Sequence, residues 1–384
     1  MREKLSTQAI YLRVIGCKLV FIMLTASLIL GNSALAGENP TIEQLINRFG
    51  LEQSTQPSKA HKLYKKPEKV VVWNRVQLVN TLTKRYPEIN FVPVSSLAEI
   101  EEHLVDADVY IGYCVSPLRD LQTSLRFIQS LAVGVERCAN SDILKRQGVL
   151  VSNIQKMSGP EIAEHAIALM MSLVRGLDQY QKAQAESQWD RSIMSSDNAI
   201  WEIEGRTMLV VGLGGIGREV ARRAHGLGMT VVATRNSSRE GPEYVEYVGL
   251  SNEVTELAKR ADVVVNTLPL TNKTRGIINR GVFAAMPSHA YYISVGRGAT
   301  TDSEAMVDAL QTGTIAGAGL DVTEPEPLPK EHPLWTMPRV LITPHMAARS
   351  DKYQQRVLTL ALANFDRYMQ GLPILNEVDL ERGY

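Results

Sequence analysis

The sequence predicts an α/β protein built from two doubly wound parallel sheets. Short apolar runs alternate with helix-forming stretches from Glu68 to the C-terminus, the order that buries a parallel sheet between helices. One run, Thr207-Met208-Leu209-Val210-Val211, leads into Gly212-Leu213-Gly214-Gly215-Ile216-Gly217 and then a helical segment, Arg218 to Leu227. The length, 384 residues, accommodates about two such units.

The first 36 residues stand apart. Arg2, Lys4, Arg13 and Lys18 form a basic start, Leu19 to Leu30 is apolar but too short to span a membrane comfortably, and Ala34-Leu35-Ala36 supplies small residues. This is the pattern of a secretory signal peptide, residues 1–36, cut after Ala36. The expectation is an exported, periplasmic protein with no stable membrane contact once the signal is removed; cytoplasmic residence is the alternative. Val14-Ile15-Gly16-Cys17 is like a lipoprotein box, but its cysteine precedes the apolar run. Cys114 and Cys138 then remain, and two buried free thiols are favoured over a disulfide. Residues 37–67 read as a polar extension, part helical around Ile42 to Phe49, with Lys62, Lys65 and Lys66 solvated.

Beyond it come strand Val70 to Trp73, helix Val76 to Tyr86, strand Ala107 to Tyr113, a strand within Leu125 to Val133, and strand Gly148 to Val151. Gly159-Pro160 opens a helix, Glu161 to Leu177, whose apolar stripe reads as core. The second series has strands at Thr207–Val211, Thr230 to Thr234, Asp262 to Thr267, Ala290 to Val295, Thr314 to Leu320 and Pro338 to Thr343. Its helices are Arg218 to Leu227, Asn252 to Lys259 and Asp302 to Gln311, and Ser350 to Met369 returns at the end.

Formal charge is zero, with 41 basic and 41 acidic side chains, so nothing in the balance points to nucleic acid. Nor does any cluster have metal-ligand spacing. The glycine turn is what a dinucleotide needs. Gly212 permits the sharp turn, Gly214 lets backbone approach a pyrophosphate, and Gly217 lets helix pack on strand; Gly215 and Ile216, within the same turn, count with them as cofactor-binding, and the N-terminus of the helix that follows offers free N–H groups to the phosphates. An acidic residue ordinarily ends the second strand and binds the ribose 2′-hydroxyl. Here Thr234 is followed by Arg235-Asn236-Ser237-Ser238-Arg239, and Arg235, Ser237 and Arg239 suit a 2′-phosphate. The cofactor expected is NADP, with NAD possible.

Three polar residues follow strand ends: Arg297 in Ser294-Val295-Gly296-Arg297-Gly298, Glu326 in Asp321-Val322-Thr323-Glu324-Pro325-Glu326, and His345 in Thr343-Pro344-His345. His345, whose ordinary pKa is about 6.5, suits a proton donor. Glu326 would orient it and favour the imidazolium. Arg297 offers a planar fork for a carboxylate and can polarise a keto oxygen.

These motifs, in this order after the glycine turn, resemble the D-isomer-specific 2-hydroxyacid dehydrogenase family from about Val70 to the C-terminus. Leu268-Pro269-Leu270-Thr271 with Thr274 resembles the family's cofactor loop, and Ala132-Val133-Gly134-Val135-Glu136 its substrate-carboxylate loop. By this resemblance, backbone N–H groups near Val133 and Gly134 would bind the other carboxylate edge. Two Rossmann-like domains are implied as well, 68–155 with 346–384 joined from both chain ends as a substrate domain, and 156–345 as a nucleotide domain. The resemblance implies cofactor contacts from Leu268, Pro269, Thr274, Val295, Gly296 and Asp321, with Asp321 supporting the nicotinamide end. It also implies a homodimer and a small 2-keto or 2-hydroxy acid as substrate, glyoxylate or hydroxypyruvate being favoured. Ser294 departs from the pattern, since relatives often carry asparagine there. The alternatives are an NAD(H)-binding regulatory protein of the corepressor kind and an NAD-dependent phosphoglycerate- or lactate-type dehydrogenase. Formate dehydrogenase ranks low, because Glu326 stands where that enzyme pairs its histidine with glutamine.

Overall fold

The computed structural model describes residues 39–192 and 200–381; the leader, residues 1–36 with Ala34-Leu35-Ala36, lies outside the described residues. Twelve strands among these residues form two parallel sheets. β1 (Lys69–Trp73), β2 (Asn90–Val94), β3 (Val109–Gly112), β4 (Phe127–Ser130) and β5 (Leu150–Ser152) are ordered β2-β1-β3-β4-β5. β6 (Thr207–Val211), β7 (Thr230–Thr234), β8 (Tyr247–Gly249), β9 (Val263–Asn266), β10 (Tyr291–Ser294), β11 (Gly317–Leu320) and β12 (Val340–Ile342) are ordered β12-β11-β10-β9-β6-β7-β8. Chain direction through the sheet reverses between β1 and β3 in the first and between β6 and β9 in the second. Ligands of such sheets bind at these points, outside the carboxyl ends of the strands.

The strands read as continuous apolar runs because both faces are covered. In β6, Met208 and Val210 pack with Ala166, Val220 and Ala221 on one side. Leu209 and Val211 pack with Phe283, Ala305 and Met306 on the other. The closing helix, Tyr353–Met369, returns to the first sheet: Leu360, Phe365 and Tyr368 join its core, with Tyr368 stacked 5.0 Å from Phe127. Asn364, fully buried on that helix, donates to Gln129 Oε1 at 2.7 Å and accepts from Leu375 N at 2.8 Å, so its polar groups do not go unpaired in the core.

Several expectations need adjusting. The helix expected over Glu161 to Leu177 is Gly159–Val174; Gly176, at φ +66°, breaks it, and Leu177–Ala185 forms a second. β2 carries Pro93 at a sheet edge, where the missing N–H is tolerated, and Pro93 hides it from a pattern search. β8 is a three-residue strand with too little pattern to see. From Ile42 on, the polar extension is anchored: the helix Ile42–Phe49 buries Leu45, Leu51 follows it into the core, and Gln53 bridges to Leu375. The free-thiol expectation is corrected. The turn Glu136–Ala139 folds back on the loop after β3, bringing the Cα atoms of Cys114 and Cys138 to 5.5 Å, and the two sulfurs are bonded.

Candidate active site

At the end of β6 the chain turns at Gly212, φ +98°, where a side chain would be strained. Gly217 sits so close to that turn that a Cβ would lie 1.9 Å from the Gly212 carbonyl oxygen; helix and strand pack only because neither carries a side chain. A Cβ on Gly214 would project into open space. The helix Gly215–Gly226 begins at that opening, its first-turn N–H groups having no intrahelical partner. Free donors, a dipole end and open volume together fit a pyrophosphate. Gly215 packs against the backbone at Lys156, and Ile216 against the helix-side core.

Next to this turn, β7 ends at Thr234, and no carboxylate follows. Arg235 donates to the Glu240 carbonyl at 3.2 Å, Ser237 is exposed, and Arg239 is held differently. It pairs with Glu253 at 2.7 Å and donates to the Tyr247 hydroxyl at 2.8 Å. Arg239, Tyr247 and the Leu250 N–H together hold the Glu253 carboxyl down at about 2. Of the two arginines, Arg235 is therefore the one whose guanidinium has no carboxylate to give up. In the facing loop, Leu268 packs on Gly212 and on the backbone of Gly296, and Val295 is buried. The Thr274 hydroxyl donates to the Pro269 carbonyl at 2.7 Å and accepts from Thr271 N at 2.8 Å, closing that loop on itself.

β10, β11 and β12 are neighbours in register, with Ser294, Leu320 and Ile342 in line. Arg297, Asp321 and His345 follow within three residues of these ends, on strands about 5 Å apart. Asp321 is 2% exposed. Its carboxylate accepts from Thr343 Oγ1 (2.6 Å), Met346 N (2.9 Å) and Ala347 N (3.0 Å), and its carbonyl from His345 N (2.8 Å). These bonds hold His345 at φ +54°, a conformation that persists only when its surroundings over-determine it. Asp321 thus shapes the histidine turn, and its carboxylate also stands 3.7 Å from His165 Nε2. His165 supports the same turn through Thr343 Oγ1 at 2.8 Å.

The His345 Nδ1 is 3.0 Å from Glu326 Oε2. This hydrogen bond is the largest influence on the imidazole and raises its pKa, against an opposing effect of burial. Burial pushes the Glu326 carboxyl up, but the bonds from His345 and from Thr323 N outweigh it and hold it below its ordinary value. Both groups also feel the charge of Arg297. The Arg297–Gly298 step lies against the Glu326 loop so tightly that a Cβ on Gly298 would be 1.8 Å from the Thr323 carbonyl oxygen.

Arg297 in turn reaches across to the first sheet. Its Nε donates to Glu136 Oε1 at 2.7 Å and its Nη1 to the Gly296 carbonyl at 2.9 Å. A Cβ on Gly134 would stand 2.3 Å from its Nη2, so the Val133–Gly134 loop after β4 and the arginine are in contact. Val133 is fixed through its carbonyl, which accepts from Asn153. The sequence reading missed Glu136 and Thr343. Glu136 stands two residues past Gly134, but a carboxylate beside a substrate-carboxylate loop carries no signal until its partner is known.

Residues 167–347 match the family model described as "D-isomer specific 2-hydroxyacid dehydrogenase, NAD binding domain". A putative 2-hydroxyacid dehydrogenase of Haemophilus influenzae is 32% identical over 290 residues, covering 72% of this chain and 89% of the relative. A hydroxypyruvate reductase of Thermotoga maritima is 31% identical over 280 residues, covering 72% and 83%. Among solved structures, an NADPH-dependent glyoxylate/hydroxypyruvate reductase from Sinorhizobium meliloti, in complex with NADP and malonate, superposes with a TM-score of 0.67. It is 27% identical and covers 83% of this chain and 98% of its own.

Proposed function

This chain belongs to the D-isomer specific 2-hydroxyacid dehydrogenase family, an NAD(P)-dependent oxidoreductase family acting on CH–OH groups, and we propose that it works as an NADPH-preferring reductase of a small 2-keto acid, glyoxylate or hydroxypyruvate. The observation that carries this reading is the grouping of Arg297 and the Glu326–His345 pair at adjacent strand ends, beside the glycine turn. A bound nicotinamide supplies a hydride to the keto carbon. This chain's residues do the rest. Arg297 binds the carboxylate and polarises the keto oxygen. His345, whose imidazolium form is favoured by the Glu326 hydrogen bond, gives its proton to the developing alkoxide. The backbone of Val133 and Gly134 meets the other carboxylate edge. Arg235, with Ser237, takes the 2′-phosphate. The NADPH-dependent Sinorhizobium relative, reductase in name and complexed with NADP, supports both halves of the reading.

The test is oxidation of NADPH and of NADH by the purified protein against glyoxylate, hydroxypyruvate, pyruvate and phosphohydroxypyruvate. Turnover of glyoxylate or hydroxypyruvate with a clear NADPH preference is expected. NADH preference, or phosphohydroxypyruvate as best substrate, overturns it. A homodimer is also proposed: Leu177 and Trp189, 53% and 92% exposed beyond Gly176, are apolar surface of the kind an interface covers. Light scattering at twice the chain mass is the expected result. Export is proposed from the leader, and the Cys114–Cys138 disulfide supports it, since such bonds persist in oxidising compartments.

A further inference from the structure

Arg297 can offer a carboxylate two bidentate edges, Nε with Nη2 and Nη1 with Nη2. Nε has a single N–H and is already donating it, whereas Nη1 has two and has given one. Nε holds Glu136 Oε1 at 2.7 Å, and Nη1 holds the Gly296 carbonyl at 2.9 Å. The Gly296 oxygen belongs to the backbone, whose Cα is packed against the Leu268 backbone, and cannot leave. Glu136 is a side chain, about a quarter exposed like its partner, and it can. Its carboxylate lies within the loop that must receive the substrate, its Oε2 being 2.7 Å from where a Cβ on Gly134 would stand. The turn that carries it is tied down two residues later by the Cys138 bond to Cys114.

We propose that Glu136 is a specificity-determining residue, a built-in carboxylate that competes with the substrate's for the fork of Arg297. It sets a threshold. An anion that engages Arg297 alone exchanges one carboxylate for another and gains little. A 2-keto acid also offers an oxygen to His345 and a second carboxylate edge to the Val133–Gly134 backbone, so it displaces Glu136. The inference rests on the proposed reading of Arg297 as the substrate-carboxylate residue.

The experiment measures oxalate and acetate binding to the NADP complex of the whole protein by calorimetry, with KM for glyoxylate beside it, in wild type, Glu136→Gln, Glu136→Ala and Arg297→Lys, and in the double variant Glu136→Gln with Arg297→Lys. Removing the competing charge should tighten oxalate and lower KM by about tenfold, the scale of one charge-assisted hydrogen bond, and should make acetate binding measurable. In the Arg297→Lys background the gain should vanish. If Glu136 merely braced the arginine, both Glu136 variants would bind oxalate more weakly. Weaker or unaltered binding overturns the proposal while leaving Arg297 in place. Oxalate affinity and KM that ignore Arg297→Lys overturn the Arg297 reading itself. A variant that fails to fold shows no calorimetric NADP binding, and the other Glu136 variant then decides.

Discussion

Gly298→Ala tests whether the close approach of two backbones assembles the site. The glycine has an ordinary backbone conformation, so the effect comes from contact alone. Its new Cβ would lie 1.8 Å from the Thr323 oxygen and 2.2 Å from the Thr323 carbonyl carbon. Carbon atoms of this kind do not approach backbone closer than 3.0 Å, so the Arg297 loop and the Glu326 loop must separate by about 1.2 Å. A misplacement of about 1 Å among reacting groups costs on the order of 100-fold in rate, near 2.7 kcal/mol. Overpacking of this size also costs about 1–3 kcal/mol of stability, which lowers Tm by several degrees without unfolding the chain. The glycine turn at Gly212 lies two strands away from β10, so cofactor binding should hold. Steady-state reduction of glyoxylate, cofactor titration and thermal melting read these separately. A kcat/KM within threefold of wild type would refute the reasoning, because it would mean that the loops tolerate separation.

His345→Gln should keep fold and cofactor affinity and lose roughly 10²–10⁴ in kcat for keto-acid reduction, the usual share of a general acid; near-wild-type turnover would remove the assignment. Glu326→Gln should act through pH. Reduction needs the imidazolium, so the rate falls as pH rises through the His345 pKa, which the Glu326 bond raises; without the carboxylate the descending limb moves to lower pH, and a pH profile of kcat/KM that does not move counts against the pair. Arg235→Asp should weaken NADPH by roughly 10- to 100-fold, about 1.5–3 kcal/mol for a charge-assisted bond, and favour NADH in paired KM measurements. Arg239→Ala should do less, since that side chain is spent on Glu253 and Tyr247.

The parts legible in the sequence are those that local chemistry dictates. β6 and the glycine turn could be read because a buried parallel strand is a continuous apolar run and the turn admits only glycine. Arg297, Glu326 and His345 could be read because parallel strands deliver every carboxyl end to one edge. The bond between His345 and Glu326 followed from that placement. What stayed hidden depends on partners far away in sequence. Glu136 is 161 residues from Arg297, His165 is 178 from Thr343, and neither pair leaves a spacing to find. Asp321 was placed at the nicotinamide end by its motif; its carboxylate's bonds to the Thr343 hydroxyl and to the N–H groups of Met346 and Ala347 come from 22 to 26 residues away, and no local pattern encodes them. The cysteine pair was misread for a similar reason. Its closure depends on the turn Glu136–Ala139 folding back, which a four-residue helix does not announce.

That disulfide bears on where the protein works. The sequence has three cysteines: Cys17 in the leader, and Cys114 and Cys138 bonded to each other. Cytosolic thiol pools keep such pairs reduced, and exported proteins keep them oxidised. The bond also matters energetically. It closes a 24-residue separation, and the chain-entropy estimate for a loop of that size is about 3–4 kcal/mol. That loop includes Val133 and Gly134, so a reducing compartment would loosen the segment facing Arg297. Against export stands the cofactor, which is made and recycled in the cytosol and cannot accompany a chain that crosses unfolded. Thiol counting separates the two cases. Protein taken from the native periplasm, alkylated on harvest and denatured, should begin at Gly37 and show no reactive thiol, then two after reduction. A chain that keeps Met1 in the cytosolic fraction and shows three reactive thiols without reduction would refute export, and the disulfide would then have no role in the working enzyme.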